Sequence, residues 1–237
     1  MTREPTVDLG SALLPQIAGT GDDYWAWVHR SVKPKGSLRI FPSDLLELLS
    51  HVPWWLVPIV WVPAVAVLAV LAVGPLGVPA FRVLLLALVG VALWTLLEYV
   101  LHRFVFHYRP RSAFGRRLHF LAHGIHHLDP WDRTRLVFPP LAALPIAGSV
   151  FLALHGATLL LAPAEATGTA VALMVGVLVG YVVYDMTHYY THHARPKGRW
   201  GKFLKAYHLA HHHKWPERMY GVSQPLWDLV FRTGRPS

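Results

Sequence analysis

Four long apolar stretches dominate the pattern of hydrophobic and polar positions along the chain. They cover about residues 54–74, 80–101, 137–162 and 169–187. A helix needs about 20 mostly apolar residues to cross a hydrocarbon core about 30 Å thick. The pattern therefore predicts an all-α integral membrane protein with four transmembrane helices, rather than a soluble helical bundle.

The segments outside these stretches define the expected domain organisation. Residues 1–52 form a mixed, polar lead-in, and residues 53–237 form a membrane domain. Within that domain, residues 102–136 and 188–237 are polar and rich in histidine, and we expect them to form a helical cap on one side of the membrane. Prolines near the start of the third apolar stretch predict an irregular entry into its helix.

Composition and charge support a membrane protein and suggest its orientation. Hydrophobic residues make up 54% of the 237 residues, and charged residues only 15%, which is unusual for a soluble domain. Of the 22 Lys and Arg residues, 21 lie in the lead-in, in residues 102–135 or after residue 184. Because basic residues are enriched on the cytoplasmic side of membranes, we expect both termini and the cap in the cytosol. The richness in Ala, Val and Arg suggests a GC-rich bacterial genome, so we expect the membrane to be a bacterial plasma membrane.

The formal charge of +9 does not indicate a nucleic-acid partner. No nucleic-acid-reading motif accompanies the basic residues, which flank the apolar stretches instead. The expected neighbours are the lipid bilayer and its anionic headgroups.

The histidines carry the candidate chemistry. The chain has no cysteine, so any metal site must use nitrogen and oxygen ligands. Of the 16 histidines, 13 lie in two windows, residues 102–127 and 188–213. Offsets of three and four residues within these windows place imidazoles on single helix faces. The spacing predicts a shared metal site, although a pH-sensing or metal-storage surface is an alternative.

The number of histidines bears on the metal. Two four-coordinate zinc ions would need only about eight ligands, and the two windows contain more histidines than this. The surplus favours two ions of higher coordination with an open position, and we expect a redox-active di-iron centre that zinc could occupy in a purified sample. Glu98 and Asp185 each lie close before a histidine and are candidates to accept a ring N–H from a ligand.

Six motifs in order resemble those of the fatty acid hydroxylase superfamily, in particular the fatty acid 2-hydroxylase branch related to sterol desaturases. The motifs are EYVLHRFVFH, LHFLAHGIHH, DPWDRTRLVFPP, YDMTHYYTHH, KAYHLAHHHK and GVSQPLWDLVFRT. The resemblance covers roughly Leu97 to the C-terminus.

This resemblance implies four spans, a cytosolic cap and a histidine-ligated dimetal centre. The matching ligand positions are His102, His107, His123, His126, His127, His188, His192, His208, His211 and His212. His119 and His193 match positions beside the metals. His213 stands where the family usually has an aromatic residue, so no role is assigned to it.

The resemblance also implies an O2-dependent non-haem di-iron monooxygenase. The expected reaction adds a hydroxyl to the alpha carbon of a long acyl chain, either free or within a sphingolipid such as ceramide. Four aromatic residues are candidates to line the substrate path: Tyr184, Tyr189, Tyr207 and Trp215. The His-Pro-Gly-Gly segment of a fused cytochrome b5 domain is absent, so we expect no haem on this chain. Electrons would then come from a separate donor, either a cytochrome b5-type protein or a ferredoxin with its reductase.

Two other functions remain open at this stage. The histidine pattern also fits a sterol or carotenoid hydroxylase or desaturase of the same superfamily. A histidine-rich metal transporter or sensor is less favoured, because the apolar stretches contain few of the ionisable residues that usually line a transport path.

Overall fold

The computed structural model describes residues 7–236. In that range all regular secondary structure is helical, and there is no strand. The α-helices are α1 (Leu13–Ile17), α2 (Tyr24–Val28), α3 (Asp44–Leu49), α4 (Leu56–Val73), α5 (Ala80–Val100), α6 (Ala113–His119), α7 (Ile125–Leu128), α8 (Pro140–Leu161), α9 (Ala166–His193), α10 (Arg199–His213) and α11 (Leu226–Val230). Two 3₁₀ segments (Ala18–Asp23 and Pro163–Glu165) and two π-helical segments (Leu101–Phe106 and Phe120–Gly124) complete the list.

The chain divides into two compact units that interleave along the sequence. Among the described residues, one unit, called the histidine unit here, comprises residues 7–54, 99–137 and 187–236. The other, the apolar unit, comprises residues 55–98 and 138–186. The predicted boundary near residue 52 stays a prediction, and the first six residues of the predicted lead-in lie outside the described part of the chain.

Within residues 7–236, four helical segments are long and apolar enough to cross a membrane, which confirms the predicted fold class. They are Leu56–Val73, Ala80–Phe106, Pro140–Leu161 and Pro163–His193, called the candidate spans here. In the first three, only 17%, 17% and 6% of the most apolar window is buried, whereas 72% is buried in the fourth. Three spans therefore expose their apolar surface, as expected of helices that face lipid.

Within the apolar unit, small residues let α5 and α9 approach closely. A Cβ placed on Gly176 would collide with the backbone carbonyl of Ala87, and a Cβ on Gly90 would collide with that of Leu173. Glycine at these two positions allows the backbones to touch, a packing that is common where membrane helices associate.

In the histidine unit, the N-terminal helices pack on the helices that carry the first histidine window. The core contains Leu13 and Ile17 of α1 and Trp27 of α2. It also contains Phe120 and Leu128, which lie before and after His123, His126 and His127 in the sequence. Burial of these side chains fixes α6 and α7. The described part of the lead-in is therefore a structural part of the unit that carries the histidines.

One helix end extends beyond its apolar stretch, and the start of another agrees with the irregular entry that the prolines predict. The fourth apolar stretch ends near residue 187, yet α9 continues to His193 because no helix-breaking residue occurs before Pro196. The proline-rich entry to α8 is extended at Pro139, and the carboxylate of Asp185 accepts the backbone N–H of Phe138 at 3.2 Å there.

Candidate metal centre

All ten histidines that the sequence proposes as ligands meet within the histidine unit, in two groups of five. Group A contains His102, His107, His123, His127 and His211, and group B contains His126, His188, His192, His208 and His212. Within each group the nitrogen atoms available as ligands lie within 4.8 Å of one another.

The side chains of group A point their Nε2 atoms at a common centre. The Nε2 atom of His127 lies 3.1 Å from that of His107 and 3.1 Å from that of His123. The Nε2 atom of His107 is also 3.0 Å from that of His211, and the Nε2 atoms of His102 and His123 are 3.2 Å apart. Nitrogen ligands about 2.1 Å from a cation and at right angles to each other would be about 3.0 Å apart.

Group B has the same arrangement. Nε2 atoms are 2.9 Å apart in the pair His188 and His126, and 2.8 Å apart in the pair His208 and His192. His212 Nε2 is 3.1 Å from His208 Nε2. The rings of His127 in group A and His212 in group B stack with centroids 4.1 Å apart, so the two groups adjoin.

A cation satisfies these contacts better than hydrogen bonding does. His102 Nδ1–H donates to the carbonyl of Tyr220 at 2.5 Å, and His211 Nδ1–H donates to that of Arg218 at 2.6 Å. A neutral imidazole carries one proton, so both Nε2 atoms present lone pairs. Hydrogen bonds can then pair at most two of the four close Nε2 contacts in group A, whereas one cation accepts all five lone pairs. The residues present therefore fit a metal ion.

The electrostatics of the site favour metal binding at neutral pH. Burial lowers the pKa of His107, His123, His126, His127, His208, His211 and His212 well below the ordinary value, and nearby histidines add to the effect in every case. Neutral imidazole is the form that binds a metal, so protons compete little for these nitrogens.

A π-helical turn explains how one pair of ligands reaches the same group. His102 and His107 are five residues apart, which places them on different faces of a regular α-helix. In the segment Leu101–Phe106 the backbone N–H of His107 instead bonds to the carbonyl of His102 at 3.0 Å. This wider turn brings both side chains into group A, and such turns are frequent at functional sites.

The C-terminal segment positions two ligands through its backbone. The carbonyls of Arg218 and Tyr220 accept the N–H groups of His211 and His102, as described above. The carboxylate of Asp228, which is fully buried, holds this segment by accepting the N–H of Tyr220 at 3.0 Å and the N–H of Gly221 at 2.7 Å. It also accepts the hydroxyl of Thr233 at 2.7 Å. Backbone carbonyls thus orient the rings of His102 and His211.

The residues predicted to lie beside the ligands take several positions. Glu98 is buried on α5, and Asp185 accepts hydrogen bonds from Phe138 N–H and from the Tyr181 hydroxyl at 3.2 Å. His119 is buried, with Nδ1 2.6 Å from the hydroxyl of Tyr24. His193 lies 6.1 Å from His192 between ring centroids. Their predicted roles beside the metals stay predictions.

The four candidate lining residues are spread over both units. In the apolar unit, Tyr184 packs against Trp94. Within the histidine unit, Tyr189 packs against Trp54, and Tyr207 is buried against Phe203. Trp215 lies beneath Lys214, whose ammonium is 4.5 Å from its ring centroid. None of these positions tests a lining role.

His29, which lies outside the two histidine windows, is beside group A. Its ring centroid is 4.7 Å from that of His127 and 5.7 Å from that of His107. Burial, which outweighs a hydrogen bond to the Trp25 carbonyl, lowers the pKa of His29 to about 4. The ring of Trp25 packs against it at a tilt, with ring centroids 4.2 Å apart. A lone histidine outside the two windows carries no spacing signal that could have found this contact.

Comparison with known proteins is decisive for the family. The fatty acid hydroxylase family matches residues 87–233, which include every histidine of both groups. This chain belongs to the fatty acid hydroxylase family. The motif resemblance in the sequence is thereby confirmed, and the chain is a hydroxylase-family enzyme with membrane-type helices and a histidine cluster that can hold metal.

Relatives match nearly the whole of this hydroxylase. Dihydroceramide fatty acyl 2-hydroxylase FAH2 of Arabidopsis thaliana is 43% identical over 229 residues, 96% of this chain and 93% of the plant protein. Fatty acid 2-hydroxylase of Homo sapiens is 40% identical over 250 residues, 97% of this chain and 65% of the human protein. The solved structure of full-length scs7p, in which only the hydroxylase domain is visible, superposes with a TM-score of 0.88 at 35% identity, covering 99% of this chain and 87% of that one.

Proposed function

We propose that this hydroxylase adds a hydroxyl group to the alpha carbon of a long fatty acyl chain, with ceramide-type lipids as the substrate class. The observation that carries the proposal is the 43% identity, across 96% of the chain, to a dihydroceramide fatty acyl 2-hydroxylase. The two five-histidine groups supply a site suited to the oxidation this reaction requires.

Two iron ions, one in each histidine group, are proposed as the resident cofactor. Ten imidazoles exceed what two tetrahedral ions use, and five-nitrogen groups leave room for a further ligand. When bound, iron would supply the dioxygen chemistry that replaces a C–H hydrogen by hydroxyl, which no side chain can do alone. Zinc could occupy the same nitrogens in a purified sample.

The chain's own residues act by positioning. The carbonyls of Tyr220 and Arg218 keep the protons of His102 and His211 on Nδ1, so that their Nε2 lone pairs face the centre. Nine of the ten imidazoles are buried and His192 is half-buried, which limits the access of water to both groups and keeps the imidazoles neutral. Tyr184, Tyr189, Tyr207 and Trp215 are proposed to line the path of the acyl chain.

The reaction needs electrons from outside the substrate. Hydroxylation combines R–H, O2, two electrons and two protons to give R–OH and H2O. The proposed donor is a separate one-electron carrier, either a cytochrome b5-type protein or a ferredoxin with its reductase. The one-sided distribution of basic residues supports a cytosolic site for both donor and histidine unit.

The proposed location is a bacterial plasma membrane. Its support is the composition of the chain, whereas the relatives described above come from a plant and a mammal. Localisation of a tagged chain in its own cells tests this part, and recovery from an internal membrane would overturn it.

Isotope labelling tests the position of the hydroxyl and the source of its oxygen together. Protein in lipid nanodiscs is loaded with iron, reduced chemically and given ¹⁸O2 and a ceramide with two deuterium atoms on the acyl alpha carbon. The expected product has lost one deuterium and gained one ¹⁸O, measured by mass spectrometry. A product that keeps both deuterium atoms would place the hydroxyl elsewhere and reject alpha hydroxylation.

Matched histidine variants connect the product to the two groups. His126→Ala and His211→Ala, one from each group, are expected to lose bound metal and product. His155→Ala removes a histidine of α8 that bonds to Thr167, outside both groups, and should keep both. Hydroxylation of a sterol or carotenoid but not of ceramide would favour the alternative substrate class. Metal uptake into vesicles without lipid-dependent oxygen consumption would favour a transporter.

A further inference from the structure

Two short helices of the histidine unit turn an acidic side chain inward and apolar side chains outward. On α3, Leu45 and Leu48 are 65% and 69% exposed, while the side chain of Glu47 is only 15% exposed. On α11, Leu229 is 70% exposed and Asp228 is fully buried. A helix on the surface of a soluble domain has the opposite arrangement, with its apolar face against the core.

The inward acidic groups fix these orientations. Glu47 accepts the backbone N–H groups of Ile40 and Phe41, each at 2.9 Å, and pairs with Arg135, whose side chain is 3% exposed. Asp228 accepts three hydrogen bonds, as described for the metal centre. Neither helix can roll to bury its apolar side chains without leaving buried charged or polar groups unpaired.

Along the sequence, α3 is followed closely by a candidate span and by exposed tryptophans. Only residues 50–55 separate α3 from α4, and Trp54 and Trp55 among them are both exposed. The ring of Trp54 lies 5.7 Å from that of Tyr189, which belongs to the candidate span Pro163–His193. Exposed tryptophans next to span ends are typical of the membrane interface.

The outward face of α11 is also tied to a span. Phe231, immediately after α11, stacks on Tyr99 with ring centroids 5.2 Å apart. Tyr99 belongs to the candidate span Ala80–Phe106. Leu226 and Val230 extend the exposed apolar surface of the same short helix.

We propose that the outward faces of α3 and α11 lie in the interfacial layer of the bilayer and thereby set the depth of the histidine unit. Interfacial helices bury their apolar face about 5–10 Å into the boundary between headgroups and acyl chains. A second copy of the chain or another protein could also cover such faces. The bilayer is favoured because residues shortly after each helix in the sequence, Trp54 after α3 and Phe231 after α11, contact aromatic residues of candidate spans. The inference concerns the membrane alone and does not depend on the reaction.

The absence of cysteine from the sequence makes a direct measurement possible. Leu48→Cys and Leu229→Cys each create a unique site for a nitroxide spin label. Val67→Cys, on the exposed surface of α4, provides a lipid-facing reference, and Lys202→Cys, exposed on α10, provides a water-facing reference. Each labelled protein is placed, one chain per disc, in nanodiscs of phosphatidylcholine and phosphatidylglycerol.

For each nitroxide label, the collision rate with O2, which partitions into lipid, is compared with the collision rate with a water-soluble nickel chelate. The labels at positions 48 and 229 are expected to favour O2, as at position 67, with depths of about 5–10 Å. Equal access to nickel at positions 48, 229 and 202 would overturn the proposal. If the labels are accessible to nickel in single-chain discs but are protected, with spin–spin broadening, in discs that hold two chains, the proposal is overturned in favour of a second copy of the chain. Leu45→Cys and Val230→Cys replace either variant that fails to keep its helical circular dichroism.

Discussion

Replacing Asp228 with alanine tests whether the C-terminal segment holds the metal ligands through its backbone. The variant removes the acceptor of three hydrogen bonds at 2.7–3.0 Å, from the backbone of Tyr220 and Gly221 and from the hydroxyl of Thr233. Hydrogen bonds to a charged group contribute about 1.5–3 kcal/mol each. Burial, however, raises the pKa of Asp228 in spite of these donors, so the net contribution is smaller than their sum.

We therefore expect Asp228→Ala to lower the free energy of unfolding by about 3 kcal/mol, mainly because two backbone N–H groups stay buried without an acceptor. For a chain of this size the loss corresponds to a fall in Tm of about 6–12 °C. Asp228→Asn keeps one acceptor oxygen and should lose less. Thermal unfolding in detergent measures both, and the metal bound per chain, measured by elemental analysis, should fall in the same order.

The matched control is Asp22→Ala, which removes the same charge from an exposed position. It should change neither Tm nor metal content. If Asp228→Ala kept the Tm and the metal content of the parent protein, the carbonyls of Tyr220 and Arg218 would not depend on this carboxylate. The positional argument for His102 and His211 would then be wrong.

Two further predictions concern other parts of the chain. Gly176→Ala places a methyl group against the carbonyl of Ala87 and should lower the free energy of unfolding by about 1–3 kcal/mol. The control Gly148→Ala, at a position where a Cβ meets nothing within 4 Å, should leave the free energy of unfolding unchanged. Equal melting temperatures of the two variants would refute the close approach of α5 and α9. Although burial acts to raise it, the pKa of Glu47 is lowered by the N–H groups of Phe41 and Ile40 and by Arg135. The stability from this group is therefore present above pH ~4.3 and lost as the pH falls through the lower folded value. The Tm advantage over Glu47→Gln should shrink between pH 5 and pH 3, and a constant difference would contradict the ion pair.

Periodicity and spacing predicted the features that depend on local sequence. Four apolar stretches became four membrane-type helices, and the offset of four residues brought His123 and His127 into one group, whereas His126, three residues from His123, belongs to the other group. The convergence of His102 and His107 is not evident from their spacing, because residues five apart lie on different faces of a regular α-helix. Only the π-helical turn brings both side chains into group A.

Features that depend on backbone groups far away in the sequence could not be predicted from residue types. The carbonyls that orient His102 and His211 belong to Tyr220 and Arg218, and any residue type supplies a carbonyl. His29 reaches group A only because α1 and α2 pack on the later histidine helices. The motif DLLELL on α3 suggests a core helix by composition, yet Glu47 is the residue that faces inward there.

Neighbouring histidines on two helices serve different groups. On α7, His126 belongs to group B and His127 to group A, and on α10, His212 belongs to group B and His211 to group A. If each group holds one cation, as proposed above, a cation bound in one group also positions a nitrogen for the cation of the other group. Loading should consequently be close to all-or-none, and a sample containing half the full amount of metal would be a mixture of complete and metal-free molecules rather than a uniform population with one ion each.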